Sequence, residues 1–375
     1  MHEPAIAVFT EHLSEVKDPR SDNERHLFLD IIVIAICAVI CAADTWADIE
    51  LFGTSNDDWF KQFLKLPHGI PSRNAFLRLF ARLNPEQFPS FLVKWVQAAE
   101  KLRVGQVVAL DGKPLRRSHD RASDKEALHL VSGWASKNRL LLGQRVVDDK
   151  SSEITAIPQL LDIPELSGCI VTIDAIGCQT AIVEKIIDQK ADYVLPVKKN
   201  LGRLHEAVRD LCDDPAELRP VKCHYHKTVN EGHGRIEIRE CWTSSDPEYL
   251  QGIAALSEWK GLQSTGVVQA ERRRGHAKTV KRRYFISSLS SDARRMLHTV
   301  RTHWEIETTV HWILDVVFRE DDCRVRKGDG AQNFAVLRHI ALNLLRREKT
   351  TKRSVRSRRW HAGWDKAYLL KALTA

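Results

Sequence analysis

Two short apolar runs, each ending on an aspartate, constrain this chain more than any other feature of its sequence. Val107-Val108-Ala109-Leu110 stops at Asp111-Gly112, and Cys169-Ile170-Val171-Thr172-Ile173 stops at Asp174. An unbroken apolar run of this length is the pattern of a strand buried on both faces, as in a sheet covered by helices. An acid that ends such a run points out of the core, towards solvent and any substrate. Alone, Asp-Gly after an apolar run reads more readily as a turn. The weight therefore falls on the pair and on the elements between them.

Leu128 to Val131 and Leu140 to Val147 read as strands, and residues 153 to 161 as a helix with Ile154, Ile157, Leu160 and Leu161 on one face. Ala181 to Lys190 reads as a helix, Tyr193 to Val197 as a strand and 201 to 212 as a helix. Pro196 weakens that strand or places it near an edge. The order is three strands, helix, strand, helix, strand, helix, which is that of an RNase H-like α/β domain. Its first and fourth strands are neighbours. Asp111 and Asp174 should therefore meet, although 174 − 111 = 63 positions separate them.

The flanking segments complete the expected fold class, an α/β RNase H-like mixed sheet with flanking helices, a β-rich insertion and an N-terminal helical domain. Residues 1–100 read as helical, with Leu27, Ile31, Ile34 and Ala38 at helical spacing, then Trp46, Ile49 and Phe52, and then Phe76, Leu77, Phe80 and Leu83 behind a capping Ser72. The catalytic domain spans 101–350. Its insertion, at about 220–290, alternates like strands and exposes a basic loop carrying Arg272, Arg273 and Arg274. Residues 293 to 318 and Ala331 to Arg347 return to helical periodicity, and 351–375 read as a basic tail.

The chain has 57 Lys and Arg against 49 Asp and Glu in 375 residues, a net charge of +8 that favours a polyanionic partner such as nucleic acid. Eight cysteines without a CxxC pair argue for a reducing compartment. Cys223, His226, His233 and Cys241 match no zinc-ligand spacing. Ile31 to Ala43 is too short to span a bilayer, which takes about 20 residues, and lies too far in for a signal peptide. It reads as a buried helix in a cytoplasmic protein.

Carboxylates on strand ends suit hard divalent cations, and two such ions can activate the attacking oxygen and stabilise the leaving one in phosphodiester chemistry. A third acid must come from a later helix. In His303-Trp304-Glu305-Ile306-Glu307, Glu307 lies beside the apolar face of Trp304, Ile306, Val310 and Leu314, one turn before His311. Glu305 points elsewhere, and Glu320 sits at or past the helix end.

These residues carry a resemblance. Asp18-Pro19-Arg20, Gly69-Ile70-Pro71-Ser72, Leu110-Asp111-Gly112-Lys113, Ile173-Asp174-Ala175 with Gln179, Gly234-Arg235-Ile236-Glu237, His303 to Glu307 and His311-Trp312-Ile313-Leu314-Asp315-Val316 occur in this order. From about residue 15 to residue 347 the chain resembles the H-repeat-associated insertion-sequence transposases of the DDE group, whose core is RNase H-like. The resemblance implies a metal-dependent transposase that nicks the ends of an insertion sequence and joins the 3′-OH to target DNA. Asp111, Asp174 and Glu307 would be the triad holding two Mg²⁺ or Mn²⁺ ions. The gap of 307 − 174 = 133 holds the insertion. The implied partners are the terminal inverted repeats and target DNA, with a homodimer in the DNA complex and no membrane, in bacterial cytoplasm at the nucleoid. Relatives in the wider group place a Tyr, an Arg and a Lys around the Glu where this chain has Val300, His303 and Leu314. His303 is the candidate to replace one of them. Lys113, Arg116, Arg117, Lys198, Lys199, Arg235, Arg272, Arg273 and Arg274 are the further DNA-binding candidates. The rival readings are a catalytically inactive, domesticated transposase that binds DNA and a structure-specific nuclease.

Overall fold

In a computed structural model the two aspartate-tipped runs lie side by side as parallel strands. The structure describes residues 13, 16–20, 25–91, 94, 102–119, 127–147, 153–162, 165–212, 223–232, 234–247, 250 and 257–374. His233 of the weak cysteine–histidine group lies outside these residues.

The first half of the α/β core follows the expected order. It runs β1 (Val107–Pro114), β2 (His129–Ala135), β3 (Leu140–Val147), α4 (Glu153–Leu161), β4 (Ile170–Ile173), α5 (Thr180–Asp188), β5 (Asp192–Val197) and α6 (Gly202–Cys212). Strand order in the sheet begins β3-β2-β1-β4-β5. β1 and β4 are parallel from Val107↔Ile170 to Leu110↔Ile173, and β4 and β5 are also parallel. β1 and β4 are almost wholly buried apolar residues along this ladder, as a strand covered on both faces must be.

The insertion is an extension of this sheet. β6 (Cys223–Gly232), β7 (Arg235–Ser244), β8 (Ser264–Arg274) and β9 (Ala277–Ser287) continue it from β5 in the order β9-β8-β7-β6, giving nine strands. β9 joins β5 in antiparallel register from Val194↔Ser287 to Val197↔Tyr284. β5 is therefore internal, not near an edge. Pro196 is tolerated because β4 pairs with β5 only at Ile170↔Asp192 and Val171↔Tyr193, so the proline lies beyond that ladder. The expected basic loop is likewise a hairpin. Arg272, Arg273 and Arg274 end β8, and Gly275, at φ 55°, opens the two-residue turn into β9.

The N-terminal helices are α1 (Phe28–Ile40), α2 (Trp46–Ser55) and α3 (Arg73–Arg82). α1 is rich in β-branched residues, which favour strands, yet every residue from Asp30 to Ile40 is buried. Burial on all sides decides its state. Ser72 takes the N-cap position of α3 with extended backbone, but its side chain makes no capping bond. Trp46 stacks on Phe80 at 5.0 Å and meets Phe334 edge-on at 4.8 Å, tying α2 and α3 to α8 (Gly330–Arg347). α7 (Ala293–Ile306) crosses the sheet, capped by Asp292, which accepts the Arg295 N–H at 3.0 Å.

Most of residues 351–375, expected as a basic tail, fold into α9 (Val355–Trp364) and α10 (Lys366–Leu373). Arg359 is buried here; its guanidinium donates to the Val39 carbonyl at 2.9 Å and to the Val317 carbonyl and lies 4.0 Å over the Phe318 ring. One contiguous apolar core runs from α1 through the sheet to α10. No described helix is long and apolar enough to cross a membrane.

Candidate active site

The last parallel pair between β1 and β4 is Leu110↔Ile173, and Asp111 and Asp174 are the next residue on each chain. Neighbouring strands are about 4.8 Å apart, so the two acids emerge together at the carboxyl ends of the parallel strands. The strand does not stop at Asp111 as the sequence suggests. β1 runs on to Pro114, paired with β2 at Asp111↔Ser132 and Gly112↔Val131. Gly112 serves close approach, not a turn. A Cβ there would collide with the Glu153 carboxylate and lie 2.9 Å from His129 Nε2. His129 and Glu153 form a buried pair at 2.6 Å directly behind the first aspartate.

Glu307 follows the last residue of α7, where the helix widens into π turns over Glu307–His311 and Ile313–Val317. The Trp312 N–H donates to the Glu307 carbonyl, five residues back. Such turns occur mostly inside helices and often at functional positions. Glu307 and His311 both reach Asp111. His311 Nδ1 lies 3.6 Å from Asp111 Oδ2 and 3.9 Å from Glu307 Oε2. One ligand atom from each of these residues lies within 4.8 Å of the others. Two carboxylates and an imidazole converging this closely are a donor set that fits a divalent cation.

Electrostatics separates the acids. Burial pushes the Asp111 carboxyl up to about 6; His311 opposes this, and Glu307 and Asp174 add to it. Burial also pushes Asp174 upward, but the Lys198 ammonium at 2.9 Å and the Ala175 N–H at 2.7 Å outweigh it and hold the group below the usual carboxylate range. The imidazole of His311 holds Glu307 low. Glu307 is half exposed, open to a substrate. Glu305 lines a different groove with His226, Arg294 and Arg301. Glu320 is buried and holds Lys113 at 2.9 Å.

The candidate cationic residues divide into groups. Lys113, expected to face phosphates, is only 7% exposed and places its ammonium between Asp315 and Glu320. Arg116 pairs with Asp321 at 3.3 Å and Arg117 with Asp322 at 3.5 Å, so the acids of residues 320–322 answer the basic segment after β1. His303, expected to replace a phosphate contact, is buried with Nδ1 3.0 Å from Thr172 Oγ1, and burial pushes it down to about 4. It carries no charge at neutral pH. Lys198 and Lys199 line a cleft that opens from Asp174, together with His205, Arg282 and Arg283. Arg283 stacks 4.9 Å over Trp304, one turn before Glu307. Arg235, Arg272, Arg273 and Arg274 lie far along the β7–β8–β9 ribbon and are exposed. Arg235 and Arg272 share Glu237, and Arg273 takes Glu271. Sequence reasoning missed His311, Arg282 and Arg283 as site residues. The signal for His311 was its spacing of four from Glu307; for the arginines it was strand alternation within the basic run.

Comparison with known proteins places this geometry. Residues 103–344 match the family model described as "Transposase DDE domain", and residues 10–96 match the "DDE_Tnp_1-associated" model. The "H repeat-associated putative transposase YhhI" of Escherichia coli K12 is 37% identical over 370 residues, 97% of each chain. The "Putative transposase YncI" of Escherichia coli O157:H7 is 36% identical over 377 residues, 99% of this chain and 95% of the relative. A solved structure, the cryo-EM piggyBac transposase synaptic complex with hairpin DNA, matches 100% of this chain and 82% of that one at 11% identity and a TM-score of 0.44, too distant for any feature to be carried over. With a family match spanning its whole α/β core and full-length relatives above 30% identity, the chain belongs to the DDE transposase family, among the H repeat-associated transposases.

Proposed function

We propose that this protein is the transposase of an insertion sequence, nicking DNA at the ends of its element and joining the freed 3′-OH to target DNA. The observation that carries the reading is the meeting of Asp111 and Asp174 one step beyond the Leu110↔Ile173 pair, with Glu307 brought against Asp111 by a helix from elsewhere in the chain. Divalent cations, Mg²⁺ or Mn²⁺, supply charge stabilisation to both the attacking and the leaving oxygen of an in-line displacement at phosphorus. Asp111, Asp174 and Glu307 would hold them. Asp111 stands within β1 and Asp174 directly after β4, so both are held by the sheet. The cleft beside Asp174 holds the DNA backbone: Lys198, Lys199 and Arg283 offer charge-assisted bonds to phosphates, and Trp304 keeps the Arg283 guanidinium in place. The basic β-ribbon extends this surface away from the acids and contacts DNA without reading its sequence. Two copies of the chain, one on each end, form the working complex.

The reading is tested with DNA carrying one element end and a supercoiled target plasmid. With Mg²⁺ or Mn²⁺ the protein should release a 3′-OH at the end and produce joined product; chelation should stop both. Cutting without joining would show a nuclease instead, and binding without cutting a DNA-binding protein.

A further inference from the structure

We propose that His311 is itself a metal ligand, completing a mixed nitrogen–oxygen site with Asp111 and Glu307. The inference rests on the metal-dependent reading above and deepens it.

The distances are the first argument. His311 Nδ1 lies 3.6 Å from Asp111 Oδ2 and 3.9 Å from Glu307 Oε2. Both are too long for hydrogen bonds, which run to about 3.2 Å. Both suit donors that share an ion. Ligands at about 2.1 Å from one cation stand about 3.0 Å apart at adjacent octahedral corners and about 4.2 Å apart at opposite ones, so shifts of under about 1 Å bring these donors to an ion. A histidine placed merely to neutralise the two carboxylates would close to hydrogen-bonding distance of one of them.

Burial is the second. The His311 side chain is 7% exposed, and its other nitrogen, Nε2, has no hydrogen-bond partner among the described residues. A buried imidazole that stands off hydrogen-bonding distance from its neighbours is costly without a partner, and a cation at Nδ1 would supply one. The backbone supplies the third argument. The π turn that starts at Glu307 and ends at His311 presents both of these side chains to Asp111.

His303 directs Nδ1 to Thr172, and among the described residues it is His311 whose ring nitrogen joins Asp111 and Glu307 within 4.8 Å. Asp174 Oδ1 is taken by Lys198 and the Ala175 N–H. The nitrogen donor would thus serve an ion held by Asp111 and Glu307. An imidazole in the set shifts preference from Mg²⁺ towards Mn²⁺.

The test is pulsed electron paramagnetic resonance of Mn²⁺ bound to the full-length protein without DNA. The expected spectrum shows modulation from a directly bonded ¹⁴N, which changes to the ¹⁵N pattern when the protein is grown on ¹⁵N-histidine. His311→Gln should remove it and lower Mn²⁺ affinity by at least about tenfold, with a smaller loss for Mg²⁺. His303→Gln should keep it, so the assignment stands even if the His311 variant folds poorly. Absence of nitrogen modulation in the wild type overturns the proposal. So does its persistence in His311→Gln, or a rise in Mn²⁺ affinity there, which would mark His311 as a counter-charge. Asp111→Asn separates the two readings: if it abolishes Mn²⁺ binding while His311→Gln does not, only the role of His311 falls. If neither variant affects binding, the metal-dependent reading falls as well.

Discussion

Lys198 Nζ lies 2.9 Å from Asp174 Oδ1, the same oxygen that accepts the Ala175 N–H. The second aspartate of the proposed triad is therefore held by a lysine that also lines the basic cleft. On the proposed function a cation would compete with Lys198 for this carboxylate, and a DNA phosphate would compete with Asp174 for Lys198. Lys198→Met should accordingly raise Mn²⁺ affinity several-fold while weakening DNA binding. Calorimetry for the metal and a gel shift for the DNA report the two effects. If both constants stay at wild-type values, Lys198 belongs to neither event.

The raised carboxyl of Asp111 has a consequence for stability. Its value of about 6 lies above the ordinary 3.8, so the ionised form is disfavoured in the folded protein. That cost is absent below about 3.8, grows between about 3.8 and 6 and is fully present above. A shift of this size corresponds to roughly 3 kcal/mol at most. Metal-free Asp111→Asn should melt a few degrees above wild type at pH 8, with the gap closing as the pH falls towards 4. Adding Mn²⁺ should raise the melting temperature of the wild type and not of the variant. A variant that melts lower than wild type at pH 8 contradicts this account.

The β-ribbon arginines are the place to look for non-specific DNA contact. If Arg272, Arg273 and Arg274 each held one phosphate of duplex DNA, replacing all three would reduce the slope of log K against log salt by roughly 0.9 × 3. Arg272 and Arg273 are shared with Glu237 and Glu271, so the expected change is smaller than that, though measurable. An unchanged slope would assign these arginines to the strand ion pairs alone.

The strand pair that carries the two aspartates was legible because strand burial writes itself into short apolar runs. Asp111 and Asp174 needed only the element order to bring them together. Glu307 needed the helical face as well. The environment of Lys113 was not legible, since its partners Asp315 and Glu320 lie 202 and 207 positions away. Nor does single-sequence periodicity register the π turn, because one wider turn shifts a helical pattern by less than the pattern's own irregularity. Pro196 misled for a related reason. Its missing N–H argues against a central strand, but what counts is where the neighbouring ladder ends, and β4 has ended before it.

The central claim is that Asp111, Asp174 and Glu307 act together as the metal-holding triad. It is tested most directly by metal-dependent cleavage of element-end DNA by Asp111→Asn, Asp174→Asn and Glu307→Gln, with Glu305→Gln as the neighbouring control and DNA binding measured alongside. Each of the three should lose cleavage by at least about a thousandfold, a loss of roughly 4 kcal/mol in transition-state stabilisation. Each should still bind DNA, and Glu305→Gln should cut like wild type. Near-wild-type cleavage by any of the three, or loss of cleavage in Glu305→Gln with Glu307→Gln still active, would contradict the assignment.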